Sequence, residues 1–196
     1  MRVGVFGGSF DPIHSTHIDI AVTAQSDLHL DHVLFVPAAM PPHKPNHILA
    51  ENQDRVAMIQ LAIGQNPFFQ LSDIELKRKG PSYTVDTLRE LQKRMPPYTE
   101  LFLIMGEDSL RDFHTWHKAD EIRNLATLVV ARRKGINLSS MDDKRVCFLK
   151  NQPNDVASSQ VREAIALGKP EAQAMVPDVV WDYIQTHGLY GSKSKA

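Results

Sequence analysis

Residues 3–17 read VGVFGGSFDPIHSTH, an apolar run followed at once by a loop of glycine and polar residues. A short, continuous apolar run such as Val3–Phe6 is typical of a strand buried on both faces of a parallel sheet. We interpret Gly7–Gly8 as the point where the backbone turns tightly and can approach a ligand closely. A helix is predicted to follow, with His14 and His17 at its start.

Four further apolar runs have the same character. They are Val33–Pro37, Leu101–Met105, Leu128–Ala131 and Val146–Leu149. The segments between them have helical spacing; Ile18, Ala21 and Val22, for example, share one helical face. Thr84 is placed to cap the third helix and Pro96–Pro97 to end it. Strands that alternate with helices predict an α/β fold with a doubly wound, mostly parallel sheet.

The composition is that of a globular protein with one main domain. The chain has 196 residues, of which 42% are hydrophobic and 23% charged. We expect a single domain over 1–190, with a small C-terminal helical part over 151–190, and a disordered tail over 191–196. The 22 basic and 23 acidic side chains nearly cancel, so no nucleic acid partner is expected.

Other features of the sequence bear on the compartment. Cys147 is the single cysteine, which excludes a disulfide framework and a cysteine-rich zinc site. The N-terminal residues lack the pattern of a signal peptide, and no apolar run approaches the ~18–20 residues of a membrane span. We therefore expect a cytoplasmic protein without a membrane partner. The sequence contains no feature that sets the oligomeric state.

The loop after the first strand carries the clearest chemical signal. It matches neither of the familiar glycine-rich phosphate-binding patterns. It places two imidazoles, His14 and His17, at a helix start, where free N–H groups and the helix dipole favour an anion. This combination predicts a polyphosphate site, although a purely structural turn would have the same glycines and histidines.

Several motifs resemble those of a known family. Gly7–His17 resembles the GGxFDPxHxGH signature of adenylyltransferases in the nucleotidyltransferase α/β phosphodiesterase superfamily. Further stretches are similar to motifs of its bacterial nicotinate-nucleotide adenylyltransferase family, in order along the chain. They are Pro41–Lys44, Glu75–Arg78, Pro81–Leu88, Met105–Leu110, Thr115–His117, Arg132–Arg133, Ala157–Arg162 and Val176–Tyr190. The resemblance implies a Rossmann-like nucleotidyltransferase fold with a small C-terminal helical part.

The resemblance also implies a reaction, transfer of the adenylyl group of ATP to nicotinate mononucleotide, giving deamido-NAD and pyrophosphate. The implied catalytic residues are His14, His17 and Arg162. The implied ATP-binding residues are Gly7, Gly8, Ser9, Phe10, Thr16, Gly106, Asp108, Ser158 and Ser159. The implied mononucleotide-binding residues are Lys44, Ser82, Tyr83, Thr84, Trp116, His117 and Arg133. Mg²⁺ is expected to arrive with ATP, held mainly by phosphates and water, so no protein metal site is predicted.

Two positions depart from the family's motifs. Thr16 stands where the family has glycine, and Gln160 stands where it has threonine. Thr16 adds volume beside the predicted ATP site, or caps the following helix. These departures leave two alternatives open: a nucleotide-binding protein with impaired turnover, and a related adenylyltransferase whose phosphate acceptor is different, such as phosphopantetheine.

Overall fold

The computed structural model of the chain describes residues 1–40, 50–132, 145–150 and 156–192. Within these ranges six parallel strands form one sheet in the order β3-β2-β1-β4-β5-β6. The strands are β1 (Arg2–Gly8), β2 (His32–Pro37), β3 (Phe69–Leu71), β4 (Glu100–Gly106), β5 (Thr127–Ala131) and β6 (Val146–Phe148). The predicted doubly wound α/β fold is therefore confirmed.

Helices connect β1 to β5 in succession. In the described ranges the α-helices are α1 (Ser15–Leu28), α2 (Asn52–Ile63), α3 (Thr84–Arg94), α4 (Glu107–Asp112), α5 (Ala119–Leu125), α6 (Ser158–Ala166) and α7 (Asp178–Thr186). The described ranges also contain short 3₁₀ helices at Phe113–Thr115, Pro170–Met175 and Leu189–Gly191. No helix in the described part of the chain is both long and apolar enough to cross a membrane.

The side chains of the central strands alternate between two apolar cores. On one face of the sheet, Phe6, Phe35 and Ile104 pack with residues of α1, α2, α6 and α7. On the other face, Val5, Leu34 and Leu103 pack with residues of α3, α4 and α5. Because both faces are covered, the central strands need apolar residues at every position, which explains the continuous runs in the sequence.

The strand β3 was missed by the sequence analysis. It has three residues at the edge of the sheet, of which Phe69 is buried and Gln70 is exposed. Its pairing with Val33–Phe35 of β2 defines it, rather than an apolar run of its own. A strand of three residues is too short for a sequence pattern to detect its period.

Three local predictions about helices were wrong. Val22 is 47% exposed, so it does not share the buried face of α1 with Ala21. Thr84 is the first residue of α3, whose N-cap is Tyr83. Thr16 does not cap α1, because His14 occupies the N-cap position. The predicted stop at Pro96–Pro97 is confirmed, since α3 ends at Arg94.

The strand order reverses beside β1, which lies between β2 and β4. Ligands of open α/β sheets bind in the crevice outside the carboxyl ends of the strands at such a switch point. In this chain the crevice lies beyond Gly8 of β1 and Gly106 of β4, and the loop from Ser9 to His14 begins there.

The predicted tail over 191–196 is partly described. Gly191 closes the last 3₁₀ segment, and the hydroxyl of Ser192 donates to the carbonyl of Ile184 at 3.0 Å. Residues 193–196 lie outside the described residues.

Candidate active site

The loop that follows β1 turns at a different residue from the one predicted. Gly7 and Gly8 are the last two residues of β1, so they do not make the turn. Phe10 has a positive φ of 47°, in the left-handed region that non-glycine residues seldom adopt. Gly8 is needed for packing instead, because a Cβ atom there would lie 3.1 Å from the Phe10 ring.

The Phe10 side chain belongs to the core. It is 1% exposed and meets the ring of Phe6 edge-to-face at a centroid distance of 5.6 Å. It also meets the His17 ring at 5.0 Å, with the two planes 67° apart. Phe10 therefore stabilises the orientation of His17, and its ring is not a surface for ATP.

The structure brings the two predicted histidines together. The rings of His14 and His17 lie 3.7 Å apart, centroid to centroid. The backbone N–H of His14 donates to Nδ1 of His17 at 3.2 Å. Since a backbone N–H can only donate, Nδ1 of His17 must keep its lone pair, and the neutral ring carries its proton on Nε2. His17 is thus held as an Nε2–H donor.

Thr16 lies between these histidines in the first turn of α1. Thr16 is 5% exposed, and its side-chain hydroxyl is buried, with no hydrogen-bond partner among the described residues. A buried, unpaired hydroxyl costs about 1–3 kcal/mol. The position therefore carries a cost that the family's glycine does not have.

The N-terminus of α6 packs against the same loop. The hydroxyl of Ser158 donates to the carbonyl of Pro12 at 3.0 Å. Nη1 of Arg162 donates to the carbonyl of Asp11 at 2.7 Å. Ser159 is exposed at the helix start. Ser158 and Arg162 therefore meet the loop from Ser9 to His14, here called the histidine loop, and Arg162 already donates one of its N–H groups to it.

Gln160, the second departure, has a structural role. Its side-chain Oε1 accepts a hydrogen bond of 2.8 Å from the backbone N–H of Ala157, the N-cap residue of α6. A glutamine three residues after the N-cap is the reciprocal half of a capping box. The substitution of threonine by glutamine therefore preserves an ordered helix start.

The end of β4 contributes the neighbouring wall of the crevice. Gly106 ends β4 and is the N-cap of α4. Asp108 is half-buried in the first turn of that helix. Because β1 and β4 pair directly, with Phe6 opposite Ile104, Asp108 follows the strand next to the histidine loop.

Ser82, one of the predicted mononucleotide residues, bonds to the segment that follows β2. The backbone N–H of Ser82 donates to the carbonyl of Met40 at 3.0 Å. Its hydroxyl accepts from the backbone N–H groups of Ala39 and Met40 at 3.1 and 3.3 Å. The N–H of Ala38 donates to the carbonyl of Gly8 at 2.9 Å. These bonds connect Ser82, just before α3, to the end of β1 through the segment Ala38–Met40. The Ser82 hydroxyl is therefore already bonded to the protein's own backbone.

Two aromatic contacts shape this part of the crevice. The ring of Tyr83 lies 4.4 Å from the ring of His117, with the planes 33° apart. Trp116 is half-buried, with its ring 5.4 Å from that of Phe113. Thr84 follows Tyr83 as the first residue of α3. Tyr83, Thr84 and His117 are therefore brought together, with Trp116 adjacent in the chain. Lys44 and Arg133 lie outside the described residues.

Known proteins match the chain over almost its whole length. The Cytidylyltransferase-like family matches residues 5–164. A probable nicotinate-nucleotide adenylyltransferase of Thermus thermophilus is 44% identical over 190 residues, covering 97% of this chain and 100% of that protein. A protein of the same name from Dehalococcoides mccartyi is 39% identical over 202 residues, covering 98% of each. The chain belongs to the nicotinate-nucleotide adenylyltransferase family.

A solved structure supports the fold assignment. Nicotinic acid mononucleotide adenylyltransferase of Plasmodium falciparum, in complex with NaAD, matches with a TM-score of 0.83 and 18% identity, covering 99% of each chain. The sequence relatives confirm the family resemblance inferred from the sequence, and this structure confirms the fold.

The sequence analysis of this member of the nicotinate-nucleotide adenylyltransferase family assigned no role to four polar residues, three of them buried and one, Tyr190, half-buried. They are Asp11, Arg55, Glu75 and Tyr190. Asp11 and Arg55 are 0% exposed, and Glu75 is 7% exposed. Burial raises the pKa of Glu75, and hydrogen bonds from Thr87 and Ser82 oppose this rise. Asp11, Glu75 and Tyr190 lie within the quoted motifs, so their position in the motifs was the signal available.

Proposed function

We propose that the protein transfers the adenylyl group of ATP to nicotinate mononucleotide, forming deamido-NAD and releasing pyrophosphate. One observation carries this proposal: the paired rings of His14 and His17, 3.7 Å apart, lie at a helix N-terminus at the switch point of the sheet. Membership of the nicotinate-nucleotide adenylyltransferase family supports the choice of reaction.

The reaction requires alignment and charge stabilisation rather than proton abstraction. A phosphate oxygen of the mononucleotide attacks the α-phosphorus of ATP, a new P–O bond forms, and the bond to the bridging oxygen of the β-phosphate breaks. The attacking phosphate is already an anion, so no general base is needed. The protein's contribution is to hold the two phosphates in line and to stabilise the charge that develops.

The histidine loop supplies the donors for this task. We assign His17 Nε2–H, whose proton is fixed by the bond to Nδ1, as a donor to the phosphates of ATP. His14 is the neighbouring ring at the N-cap. Arg162 donates one N–H to the loop and has further N–H groups for the β- and γ-phosphates. Ser158 and Ser159 begin a helix whose free N–H groups favour the same anion.

The rest of the ATP is assigned to the end of β4. Asp108 is the residue that we expect to accept hydrogen bonds from the ribose hydroxyls, beside Gly106. Mg²⁺ is proposed to arrive with ATP, where it would neutralise phosphate charge. The described residues contain no group of three or more His, Cys, Asp or Glu that could hold a metal.

The nicotinate side is assigned to the aromatic part of the crevice. Trp116 offers a flat surface against which the pyridine ring can stack. The backbone N–H groups near Thr84 and His117 are the proposed donors to the ring carboxylate. Lys44 and Arg133 stay predictions for the mononucleotide phosphate, and the cytoplasmic location stays a prediction as well.

A pyrophosphate-release assay tests the proposal. Purified protein is given ATP and Mg²⁺ with nicotinate mononucleotide, nicotinamide mononucleotide or phosphopantetheine in parallel. We expect release with nicotinate mononucleotide and much less with the other two acceptors. Release with phosphopantetheine alone would assign another acceptor. Binding of ATP without release in any arm would support the impaired nucleotide-binding protein, which the unpaired hydroxyl of Thr16 favours as the second candidate.

A further inference from the structure

The histidine loop is held from behind by side chains of distant elements. Three of its backbone carbonyls accept hydrogen bonds from them. The pairs are Ser9 with Nη1 of Arg55 at 2.7 Å, Asp11 with Nη1 of Arg162 at 2.7 Å, and Pro12 with the Ser158 hydroxyl at 3.0 Å. In a trans peptide the N–H of the next residue points opposite to the carbonyl. The bonds at Ser9 and Pro12 therefore turn the N–H groups of Phe10 and Ile13 away from these anchors.

The Asp11 carboxylate is the centre of this anchoring. Asp11 is 0% exposed, and its Oδ1 accepts from the hydroxyl of Tyr190 at 2.7 Å and from the backbone N–H of Ala50 at 3.2 Å. Its Oδ2 lies 3.7 Å from Nη1 of Arg162. A buried carboxylate is stable only when hydrogen bonds and opposite charges compensate it, so its position is strongly determined by these partners.

Tyr190 reaches Asp11 from the far end of the chain. It lies in the last 3₁₀ segment, 179 residues away from Asp11 in sequence. Burial and the Asp11 charge raise the pKa of Tyr190, so its hydroxyl stays protonated and donates. A hydrogen bond to a charged acceptor is among the stronger ones that a side chain can make.

We propose that Tyr190 is a positioning residue for adenylyl transfer: through the Asp11 carboxylate it fixes the loop that carries His14 and His17. The inference rests on the proposed function, and it adds the C-terminal segment to the groups that set the geometry of the phosphate site. Tyr190 acts behind the loop, so it influences the reacting groups through Asp11.

The chain contains a matched control for this hydrogen bond. The hydroxyl of Tyr183 donates to Oδ1 of Asp54 at 2.9 Å, and this bond connects α7 with α2. Both bonds join a C-terminal tyrosine to a carboxylate, and only the Tyr190 bond ends on the histidine loop. Substitution by phenylalanine removes one hydroxyl in each case, so general loss of stability and loss of loop geometry can be separated.

The first experiment compares Tyr190→Phe and Tyr183→Phe by steady-state kinetics with ATP, Mg²⁺ and nicotinate mononucleotide. We expect Tyr190→Phe to lower kcat/KM for ATP by roughly tenfold to hundredfold, because small misplacements of catalytic groups have effects of this size. Tyr183→Phe should stay within about twofold of the wild type, with a similar change in Tm. Equal losses in the two variants, or wild-type kinetics in Tyr190→Phe, would overturn the proposal.

A second measurement does not need turnover. Hydrogen exchange of peptides covering residues 9–14 should be faster in Tyr190→Phe than in Tyr183→Phe, and α,β-methylene ATP should bind more weakly. An absence of turnover in the wild type would contradict the proposed function, whereas unchanged exchange and binding in Tyr190→Phe would contradict the positioning role. In an Asp11→Asn background the effect of Tyr190→Phe should shrink, because a neutral amide is the weaker acceptor.

Discussion

Two buried carboxylates underlie the two halves of the crevice, and their surroundings differ. Asp11, within the histidine loop, has Arg162 3.7 Å away and the positive charge of Arg55 nearby. Arg55 is itself 0% exposed, and the charge of Asp11 opposes the lowering of its pKa by burial. Two guanidinium groups compensate the Asp11 carboxylate, and Glu51 is a further acidic group near Arg55, so ionic groups are the main partners in this half of the crevice.

Glu75, below the Ser82–Thr84 junction, is compensated mainly by hydroxyl groups. Thr87 donates to its Oε1 at 2.7 Å, and Ser82 is its other hydroxyl partner. The charge of Arg78 is a smaller influence, since that guanidinium bonds to Thr87 and Glu90. This half is therefore held by neutral donors and aromatic contacts, which suits a flat pyridine ring better than a polyphosphate.

The largest expected effect comes from a substitution in the half of the crevice that contains the histidine loop. His17→Ala removes the fixed Nε2–H donor, and we expect kcat to fall by about 10²–10³-fold, the usual result of deleting one oxyanion-type donor. Thermal stability should change little, because the side chain is partly exposed. Steady-state kinetics and a thermal melt measure both.

His187→Ala is the control for that substitution, since His187 is exposed and stacks on Tyr183, away from the loop. We expect its kinetics to match the wild type. Unfolding of His17→Ala in proportion to its loss of activity would assign His17 a structural role instead.

The next largest effect comes from a substitution in the other half of the crevice, where the aromatic contacts lie. Trp116→Ala should raise KM for nicotinate mononucleotide by roughly tenfold, because stacking of a ring on an aromatic side chain contributes about 1–3 kcal/mol. KM for ATP should change little, which is the contrast with His17. Trp181, a half-buried indole on α7, is the control. Equal increases in KM for ATP and for nicotinate mononucleotide in Trp116→Ala would mean that the two halves of the crevice do not bind the two substrates independently.

Most of the fold could be predicted from the sequence, but few of the contacts between distant residues could be. The apolar runs of β1, β2 and β4 predicted the sheet because strands buried on both faces cannot contain polar residues. The edge strand Phe69–Leu71 left no such trace. The motif position of His14 and His17 placed the candidate site, since both follow a strand and begin a helix.

The positions that sequence reasoning missed depend on contacts between distant residues. No local pattern indicates that Tyr190 meets Asp11 or that Arg55 bonds to the Ser9 carbonyl. Phe10 was assigned to ATP, yet its ring is core, because the turn falls on Phe10 rather than on the preceding glycines. Packing decides such details, and packing is not periodic in the sequence.

A smaller effect concerns the pH dependence of stability. Because burial raises the pKa of Glu75 in the folded state above its ordinary value, the folded protein binds this proton more tightly than the unfolded chain does. The stability contributed by protonated Glu75 is therefore present at low pH and is lost as pH rises through the folded pKa. Urea unfolding from pH 4 to 8 should show a smaller loss of stability in Glu75→Gln than in the wild type.

Glu90→Gln is the control, because the stability contributed by Glu90 should depend on pH in the opposite direction. Hydrogen bonding to Arg78 lowers the pKa of Glu90, so its contribution is present above the unfolded pKa and is lost as pH falls through the folded pKa. The difference between wild type and Glu90→Gln should therefore grow with pH, over a lower range. Parallel pH profiles for Glu75→Gln and the wild type would mean that Glu75 stays ionised in the folded protein.

The smallest expected effect tests the unpaired hydroxyl of Thr16. Thr16→Val keeps the shape and removes a buried group that has no partner, so the free energy of unfolding should rise by about 1 kcal/mol. Thr23→Val is the control on the same helix, because the Thr23 hydroxyl donates to the Asp19 carbonyl at 2.8 Å and its loss should not stabilise the protein. Urea unfolding measures the difference.

Thr16→Gly completes the comparison with the family's residue. It removes the side-chain volume beside the ATP site, so we expect a lower KM for ATP or a higher kcat, although glycine in a helix lowers stability by about 1 kcal/mol. If both Thr16→Val and Thr16→Gly bind ATP more weakly than the wild type, the hydroxyl is a ligand of the nucleotide. Its missing partner would then be ATP itself, and the departure from glycine would be part of a working phosphate site.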